Sequence, residues 1–334
     1  MGNLTEHTTL FIEHIKQLIR NAQLQAIRSV NYLMVQTYFE LGKRIVEKEQ
    51  EGKEEAGYGE YLIQNLSREL SAEFGRGYSK RNLELIRKFY LTYKIAKSPI
   101  SQSLTWTHYL HLMRIDDEAV RNFYEVETVK NNWSVREMSR QMNSSLYERL
   151  SLSKNKQEVR KLSEHGHIVE KPADLIKDPY VLEFLEIPES ASFSETELET
   201  AIINKLEHFL LELGKGFTFA GRQVRFTFDE EHFRVDLVFY NRLLKCFVLI
   251  DLKIGKLKHQ DLGQMQMYVN YYDRFVKLED ENKTIGIILC KDKKDTMVEI
   301  TLPENNQQIF ASKYELILPS KEQLKKVIQS GSDD

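Results

Sequence analysis

Two neighbouring runs of strand-forming residues each carry one acidic side chain, and this feature constrains the fold more than any other. The segment reads FRVDLVFYNRLLKCFVLIDLKIGK over residues 233–256, with Asp236 inside the first run and Asp251 at the end of the second. Alternating apolar and β-branched residues predict strands over 233–240 and 244–251. The short Asn-Arg turn between them permits only antiparallel neighbours, so the two aspartates can lie side by side.

Two carboxylates in such an apolar setting predict a bound cation. Carboxylates a few ångströms apart repel strongly unless one is protonated or a positive charge lies between them. Oxygen ligands of this kind select Mg²⁺ or Mn²⁺ rather than zinc. Lys253 follows Asp251 by two residues, so on a continuing strand it shares that face, where an ammonium can orient or help deprotonate a metal-bound water. Alone, each element is more typical of a turn aspartate or an exposed edge lysine; together they favour a metal site.

The surrounding C-terminal half is predicted to follow the order αβββαβ. Ser194 and Glu197 form the capping-box pattern S-x-x-E at the start of a helix over 194–213, and Gly214 is available to end it. Another strand is predicted over 222–228, before the two acidic runs. The remaining predicted elements are a helix over 259–272, strands over 284–290 and 313–319, and a closing helix over 320–329.

Three further side chains are candidates for the same site. Glu199 lies at the margin of the apolar stripe of the first helix, close enough to approach the sheet. Glu195, one turn earlier, is the competing choice, and a solvated glutamate is the alternative. Gln264 and Tyr268 lie four residues apart on one helical face and can hold a phosphate or ribose edge. A surface glutamine beside a half-buried tyrosine is the alternative to that interpretation.

The N-terminal half has a different pattern. Residues 8–150 are predicted to form an all-helical domain, because apolar residues recur at helical spacing over most of this length. Residues 151–190 are polar and charged, which predicts a connector to a domain over residues 191–330. Two domains, the first helical and the second α/β, are therefore expected.

Basic residues concentrate in one part of the helical half. Residues 76–97 contain seven lysines and arginines against one acid, Glu84, although the whole chain has a formal charge of −3. A helix, a glycine-containing turn and a basic helix that begins after Ser79 have the layout of a helix-turn-helix. The residues expected to reach base edges at the start of that helix are Lys80, Arg81 and Asn82. A solvated basic face on a structural bundle is the alternative.

Bulk features indicate the class of protein. No apolar run approaches the roughly 20 residues that span a bilayer, so no membrane association is expected. The chain has two cysteines, Cys246 and Cys290, both inside apolar runs, which is typical of buried thiols in a reducing compartment. We therefore expect a cytoplasmic protein.

These motifs together resemble a known family. Asp236, the Asp251-Leu252-Lys253 triplet and the Q-x-x-x-Y pair, after a helix bearing Glu199, resemble the PD-(D/E)XK nuclease superfamily of QxxxY type. Longer stretches are similar to the bacterial YhcG-like two-domain nuclease-domain family. In the N-terminal half these are LSRELSAEFGRGYSKRNLELIRKFY, LTWTHYLHL and WSVREMSRQMNSSLYERL, and in the C-terminal half FLLELGKGFTFAGRQV and GQMQMYVNYYD.

The resemblance implies a restriction-endonuclease-like α/β domain with a mixed sheet, and a Mg²⁺-dependent (or Mn²⁺-dependent) nuclease activity. Asp236, Asp251 and the carbonyl of Leu252 would bind the metal, Lys253 would position the attacking water, and Glu199 would help hold the metal's water shell. DNA is the expected partner, RNA the weaker alternative, and a homodimer is compatible with the family. A second hypothesis is a catalytically silent nucleic-acid-binding or scaffolding protein that retains the nuclease fold.

Overall fold

The computed structural model describes residues 2–51, 58–94, 101–151, 156–188 and 190–318. Internal contacts divide the chain into two units, Met1–Ser139 and Arg140–Asp334. Within the described ranges, no helix combines the length and the apolar character that crossing a membrane requires.

The first unit is helical throughout its described residues, as the sequence predicts. Its helices are α1 (Gly2–Glu51), α2 (Tyr58–Phe74), α3 (Lys80–Tyr93), α4 (Trp106–Leu112), α5 (Glu118–Asn131) and the start of α6 (Val135–Asn143). A 3-10 turn, Arg76–Tyr78, joins α2 to α3 and produces the predicted helix-turn-helix order. Ser79 is the N-cap residue of α3, although its side chain makes no capping hydrogen bond.

The core of this unit forms where α1 and α3 pack together. Leu83, Ile86 and Phe89 of α3 are fully buried. Ile45 of α1 joins Leu83 and Ile86 in one apolar cluster. Gly42 lies where a Cβ atom would overlap the carbonyl of Ile86, so the absence of a side chain allows the two helix backbones to approach closely. This packing fixes the position of α3, the helix with the basic residues.

The second unit combines helices with one mixed sheet. Its further helices are α7 (Leu146–Ser151), α8 (Lys156–His165), α9 (Glu195–Asn204), α10 (Leu206–Leu213), α11 (His259–Phe275) and α12 (Asp295–Thr301). The strands among the described residues are β1 (Tyr180–Val181), β2 (Phe217–Phe228), β3 (Glu231–Asn241), β4 (Cys246–Lys256), β5 (Ile285–Asp292) and β6 (Ile309–Glu315). The sheet order is β1-β6-β5-β4-β3-β2, antiparallel from β2 to β4 and parallel from β4 to β1. The α/β class and the mixed sheet are confirmed.

Apolar side chains cover both faces of this sheet. On one face Ile250 of β4 belongs to the same core cluster as Leu198 of α9. On the other face Leu249 packs in a cluster with Met265 of α11. Because successive strand residues point to opposite faces, Asp251 lies on the side of Leu249 and α11. The central strand thus carries its acidic residue between two layers of apolar packing.

The described part of residues 151–190 differs from the polar connector that its composition predicts. β1 pairs in parallel with β6, and Tyr180 and Leu182 are fully buried. A few apolar side chains among many charged ones are enough to bind this segment to the sheet. Because the segment is polar on average, a prediction from composition misses these few apolar side chains.

Smaller differences concern helix and strand limits. The helix predicted over 194–213 is divided at Lys205, where the backbone leaves the helical conformation, into α9 and α10. The capping box of Ser194 and Glu197 is present, and Gly214 ends α10 with φ 104°. α12 was not predicted, and the closing helix over 320–329 lies outside the described residues.

A buried ion cluster joins the start of the second unit to its sheet. Glu212 of α10 and Arg149 of α7 are both fully buried and form an ion pair. Arg140 lies 3.4 Å from the same carboxylate, and the amide of Val181 in β1 donates to it at 3.0 Å. Burial alone would raise the pKa of Glu212, but the neighbouring cations, with Arg149 the strongest, hold it at about 2. This cluster explains why β1 belongs to the second unit.

We expect Glu212→Gln to lower the free energy of unfolding at pH 7 by about 3 kcal/mol, because buried Arg149 loses its counter-charge. Glu207→Gln, on the exposed side of the same helix, is the matched control and should cost about 0.5 kcal/mol or less. Urea denaturation of the three proteins measures both differences.

The difference in unfolding free energy between the parent and Glu212→Gln has a defined pH dependence. The pKa of folded Glu212 lies near 2, below its ordinary value of 4.5, so its stabilisation is present above pH 4.5 and is lost as the pH falls toward 2. The difference between parent and Glu212→Gln should therefore shrink between pH 5 and pH 3. A difference that stays constant over this interval would contradict the assignment.

Candidate active site

The β3–β4 pair brings the two predicted aspartates together. Leu237 of β3 lies opposite Ile250 of β4 in the last registered pair, so Asp236 and Asp251 are the next residues along their strands. The ladder ends here, and Oδ2 of Asp236 accepts a hydrogen bond from the amide of Leu252 at 2.8 Å. A carboxylate thus takes the place of a backbone acceptor between the two strands. The juxtaposition expected from the sequence is present.

Asp251 and Lys253 form a close pair on β4. Asp251 is 3% exposed, and the Nζ atom of Lys253 lies 2.7 Å from its Oδ2 atom. Burial and the charge of Asp236 raise the pKa of Asp251 to about 7, although Lys253 opposes that rise. Burial lowers the pKa of Lys253, but Asp251 and the other nearby carboxylates outweigh it and raise the pKa above its ordinary value of 10.5. These carboxylates therefore favour the charged ammonium form of Lys253 in the metal-free protein.

Glu199 reaches the same site from α9. It is 3% exposed, and its Oε2 atom accepts a hydrogen bond from the side-chain amide of Gln223. The same amide nitrogen donates to Oδ1 of Asp236 at 3.1 Å, so one donor bridges the two carboxylates. Burial raises the pKa of Glu199, and Gln223 opposes that rise. The Oε1 atom is buried and accepts no hydrogen bond from the described residues, and Arg222 is 3.7 Å away.

Gln223 is the residue of this site that sequence reasoning missed. It lies on β2 between Arg222 and Val224, whose partners on β3 are Leu237 and Val235, so it is level with Asp236. Its φ of 47° falls in the left-handed region, which is uncommon for a residue other than glycine. A polar residue near the end of FAGRQV was the available signal, but only the strand register shows which carboxylate it meets.

Glu195 and Glu199 approach different parts of the site. The Oε2 atom of Glu195 lies 3.9 Å from Nζ of Lys253, and its side chain is 45% exposed. Glu199 is instead linked through Gln223 to Asp236. The choice of Glu199 as the glutamate that serves a metal stays a prediction, and the greater burial and the Asp236 link of Glu199 favour it.

The Q-x-x-x-Y pair lies on α11, beside the aspartates. Tyr268 is 2% exposed, and its ring meets Phe226 edge-on with centroids 5.6 Å apart. Burial and then the charges of Asp251 and Asp236 raise the pKa of Tyr268 to about 12, while a hydrogen bond from Gln264 opposes this. Tyr268 is thus mainly a core residue with its hydroxyl near the carboxylates. A substrate contact by either residue stays a prediction.

The ligand atoms of this site are of the type that a hard divalent cation prefers. The buried acceptors are carboxylate oxygens, and Oε1 of Glu199 accepts no hydrogen bond among the described residues. No group of three His, Cys, Asp or Glu side chains in the described ranges is already arranged to hold a metal. The Gln223 amide donates to both Glu199 and Asp236, and Lys253 forms an ion pair with Asp251. These donors occupy carboxylate oxygens that a cation would use. A cation that used these oxygens would have to displace at least one of those donors.

The three residues predicted to reach base edges are placed less favourably for that role than the aspartates are for theirs. Nζ of Lys80 lies 2.8 Å from Glu60 of α2. The side-chain amide of Asn82 donates to the carbonyl of Gly77 in the turn, so it braces the start of α3. Arg81 is exposed. Two of the three predicted side chains thus have partners within the unit, and contact with nucleic acid stays a prediction for all three.

Solved structures offer distant similarity only. A repair endonuclease from Pyrococcus abyssi is 16% identical with a TM-score of 0.27, over 39% of this chain and 50% of the other. An EndoMS–dsDNA complex is 17% identical with a TM-score of 0.27, over 40% and 50% of the respective chains. The chain therefore spans about half the length of these proteins, and at such scores the comparison indicates neither substrate nor mechanism.

Sequence comparison is far more specific. Residues 173–329 match the family described as the YhcG PDDEXK nuclease domain. Residues 14–149 match the DUF1016 N-terminal domain. The Escherichia coli (strain K12) protein named "Putative nuclease YhcG" is 38% identical, in an alignment that covers 97% of this chain and 95% of that protein. The chain belongs to the YhcG family and matches both its PDDEXK nuclease domain and a DUF1016 N-terminal domain.

Proposed function

We propose that this protein is a Mg²⁺- or Mn²⁺-dependent nuclease that hydrolyses phosphodiester bonds in DNA. The observation that carries the proposal is the pairing of half-buried Asp236 with buried Asp251 on adjacent strands, with Lys253 2.7 Å from Asp251. Family membership supports the reaction class. The metal requirement and the choice of DNA over RNA are parts of this proposal.

The carboxylates of Asp236 and Asp251 and the carbonyl of Leu252 would hold the cation. When bound, a divalent cation stabilises the negative charge that develops on the phosphate. Glu199 would hold water near the cation, because its buried Oε1 atom accepts no hydrogen bond from the described residues. Gln223 bridges Glu199 and Asp236 and orients both carboxylates.

Lys253 has a role set by its charge. Because nearby carboxylates raise its pKa, it remains protonated at neutral pH. It would donate a hydrogen bond to the attacking water and offset the charge of the phosphate, while another base removes the proton. Gln264 and Tyr268 would hold a phosphate or sugar edge from the side of α11.

Other parts of the proposal concern the context of the reaction. The helical unit would bind nucleic acid, and the protein would act in the cytoplasm, where the two buried free cysteines are kept reduced. A homodimer is the assembly we propose for cutting both strands of a duplex.

We expect Asp251→Ala and Lys253→Ala each to abolish Mg²⁺-dependent cleavage while the protein stays folded. The first variant removes a proposed metal ligand and the second removes the ammonium beside it. Lys291→Ala, an exposed lysine on β5, is the matched control and should cleave like the parent. The assay uses duplex, single-stranded, branched and RNA substrates with Mg²⁺, Mn²⁺ or EDTA.

Unchanged cleavage by both Asp251→Ala and Lys253→Ala would refute the assignment of these residues. A parent protein that binds DNA without metal-dependent turnover would instead favour a silent nuclease fold.

We expect Gln223→Ala to lower the thermal midpoint of the metal-free protein, because buried Glu199 and half-buried Asp236 lose their shared donor. It should also enlarge the rise in midpoint that Mn²⁺ produces, since the cation no longer displaces an amide. Gln266→Ala, which removes a bond to Asn270 on the outer part of α11, is the matched control. Equal Mn²⁺ responses in parent and Gln223→Ala, measured by calorimetry, would show that a bound cation does not displace the Gln223 amide.

A further inference from the structure

A concave surface of the first unit collects cations from two separate parts of the sequence. It has a volume of about 520 Å³ and is open to solvent. Its charged lining comes from Arg76 in the turn before α3, Arg81 and Lys88 on α3, and Arg114 after α4. All four are exposed. We call this surface the basic groove.

The cations of the basic groove differ from their neighbours on α3 in having no counter-ion among the described residues. On the same helix, Lys80 pairs with Glu60, and Arg87 pairs with Glu49 of α1. None of the four groove cations forms an ion pair within the described residues. Glu84, the only acid in the α3 sequence, acts on Lys80. On α3, Lys80 and Arg87 thus have acidic partners within the unit, whereas Arg81 and Lys88 face the groove without one among the described residues.

The floor of the basic groove is apolar. Leu85 and Met113 line it between the charged side chains, and Met113 is 3% exposed. A cationic rim above an apolar floor matches a polymer that alternates anionic phosphates with less polar sugars. Guanidinium groups, which supply most of the rim, bind phosphate oxygens in a two-pronged geometry that lysine cannot reproduce. An acidic peptide also offers carboxylates to these guanidinium groups, so competition with polyglutamate is needed to separate it from DNA.

We propose that the basic groove binds the sugar–phosphate backbone of DNA, a proposal that rests on the proposed nuclease function and identifies where the helical unit holds its substrate. It assigns Arg81 to phosphate contact rather than to base edges, and it adds Arg114, which no basic run in the sequence contains. Lys80 and Asn82 support the start of α3 through their internal partners. The groove therefore contributes affinity with little preference for base sequence.

The test is DNA binding by the full-length protein in EDTA, measured as fluorescence anisotropy of a labelled duplex between 50 and 200 mM salt. Arg81→Glu combined with Arg114→Glu should raise Kd at least tenfold. It should also reduce the slope of log Kd against log salt by about 1.8, because two phosphate contacts at about 0.9 each are lost. The matched control, Arg20→Glu with Arg28→Glu on exposed positions of α1, has the same charge change and should bind like the parent.

If charge reversal lowers the melting midpoint, weaker binding could reflect unfolding, so a second variant is also measured. Arg81→Ala with Lys88→Ala removes two groove charges without adding new ones, and the same reduction in slope is expected. Polyglutamate is added as a competitor to detect a preference for acidic protein. It should displace the labelled duplex much less effectively than unlabelled DNA of equal charge.

Four results would overturn the proposal: no DNA binding by the parent, groove variants within twofold of the parent, equal loss in the α1 control, or polyglutamate competing as well as DNA. Failure of the nuclease proposal gives a different result, since binding is measured without metal and does not require cleavage. A parent that binds through the groove and never cleaves would leave the groove assigned and the nuclease proposal refuted.

Discussion

The hydrogen bond from the Leu252 amide to the Asp236 carboxylate is the interaction on which the rest of the site depends. It forms where the β3–β4 ladder ends, so a side chain rather than a backbone carbonyl completes the pairing. That substitution places one carboxylate beside β4, next to Asp251. Two neighbouring acids, one of them buried, are then offset by Lys253 beside Asp251 and by the Gln223 amide beside Asp236. The geometry of the candidate site follows from this single connection.

Two buried acidic clusters in the second unit show opposite electrostatic outcomes. Around Glu212 the cations outweigh the cost of burial and hold the pKa at about 2, so the carboxylate is permanently charged and structural. Around Asp251 burial and Asp236 outweigh a single lysine and raise the pKa to about 7. The first cluster is fully compensated and ties α7, α10 and β1 together. The second has more negative charge than its donors offset, which is the condition expected of a site that receives a cation or a substrate.

Local patterns predicted much of this arrangement. The alternation around Asp236 and the short turn to β4 required antiparallel neighbours, and the S-x-x-E pattern at Ser194 marked the start of α9. Gln223 could not be predicted, because its role depends on cross-strand register and on a left-handed backbone that no glycine signals. Arg114 was hidden for a similar reason: only packing of the first unit brings it beside α3. Average composition likewise concealed β1, since its buried residues are few among many charged ones.

Diffraction from crystals grown with Mn²⁺, recorded at a wavelength where manganese scatters anomalously, tests the central claim most directly. The account predicts one anomalous peak within about 2.0–2.4 Å of carboxylate oxygens from both Asp236 and Asp251, with the Gln223 amide or the Lys253 ammonium displaced from its present partner. Crystals in which Mn²⁺ lies elsewhere, or in which those two carboxylates keep only their Leu252, Gln223 and Lys253 contacts at saturating Mn²⁺, would contradict it.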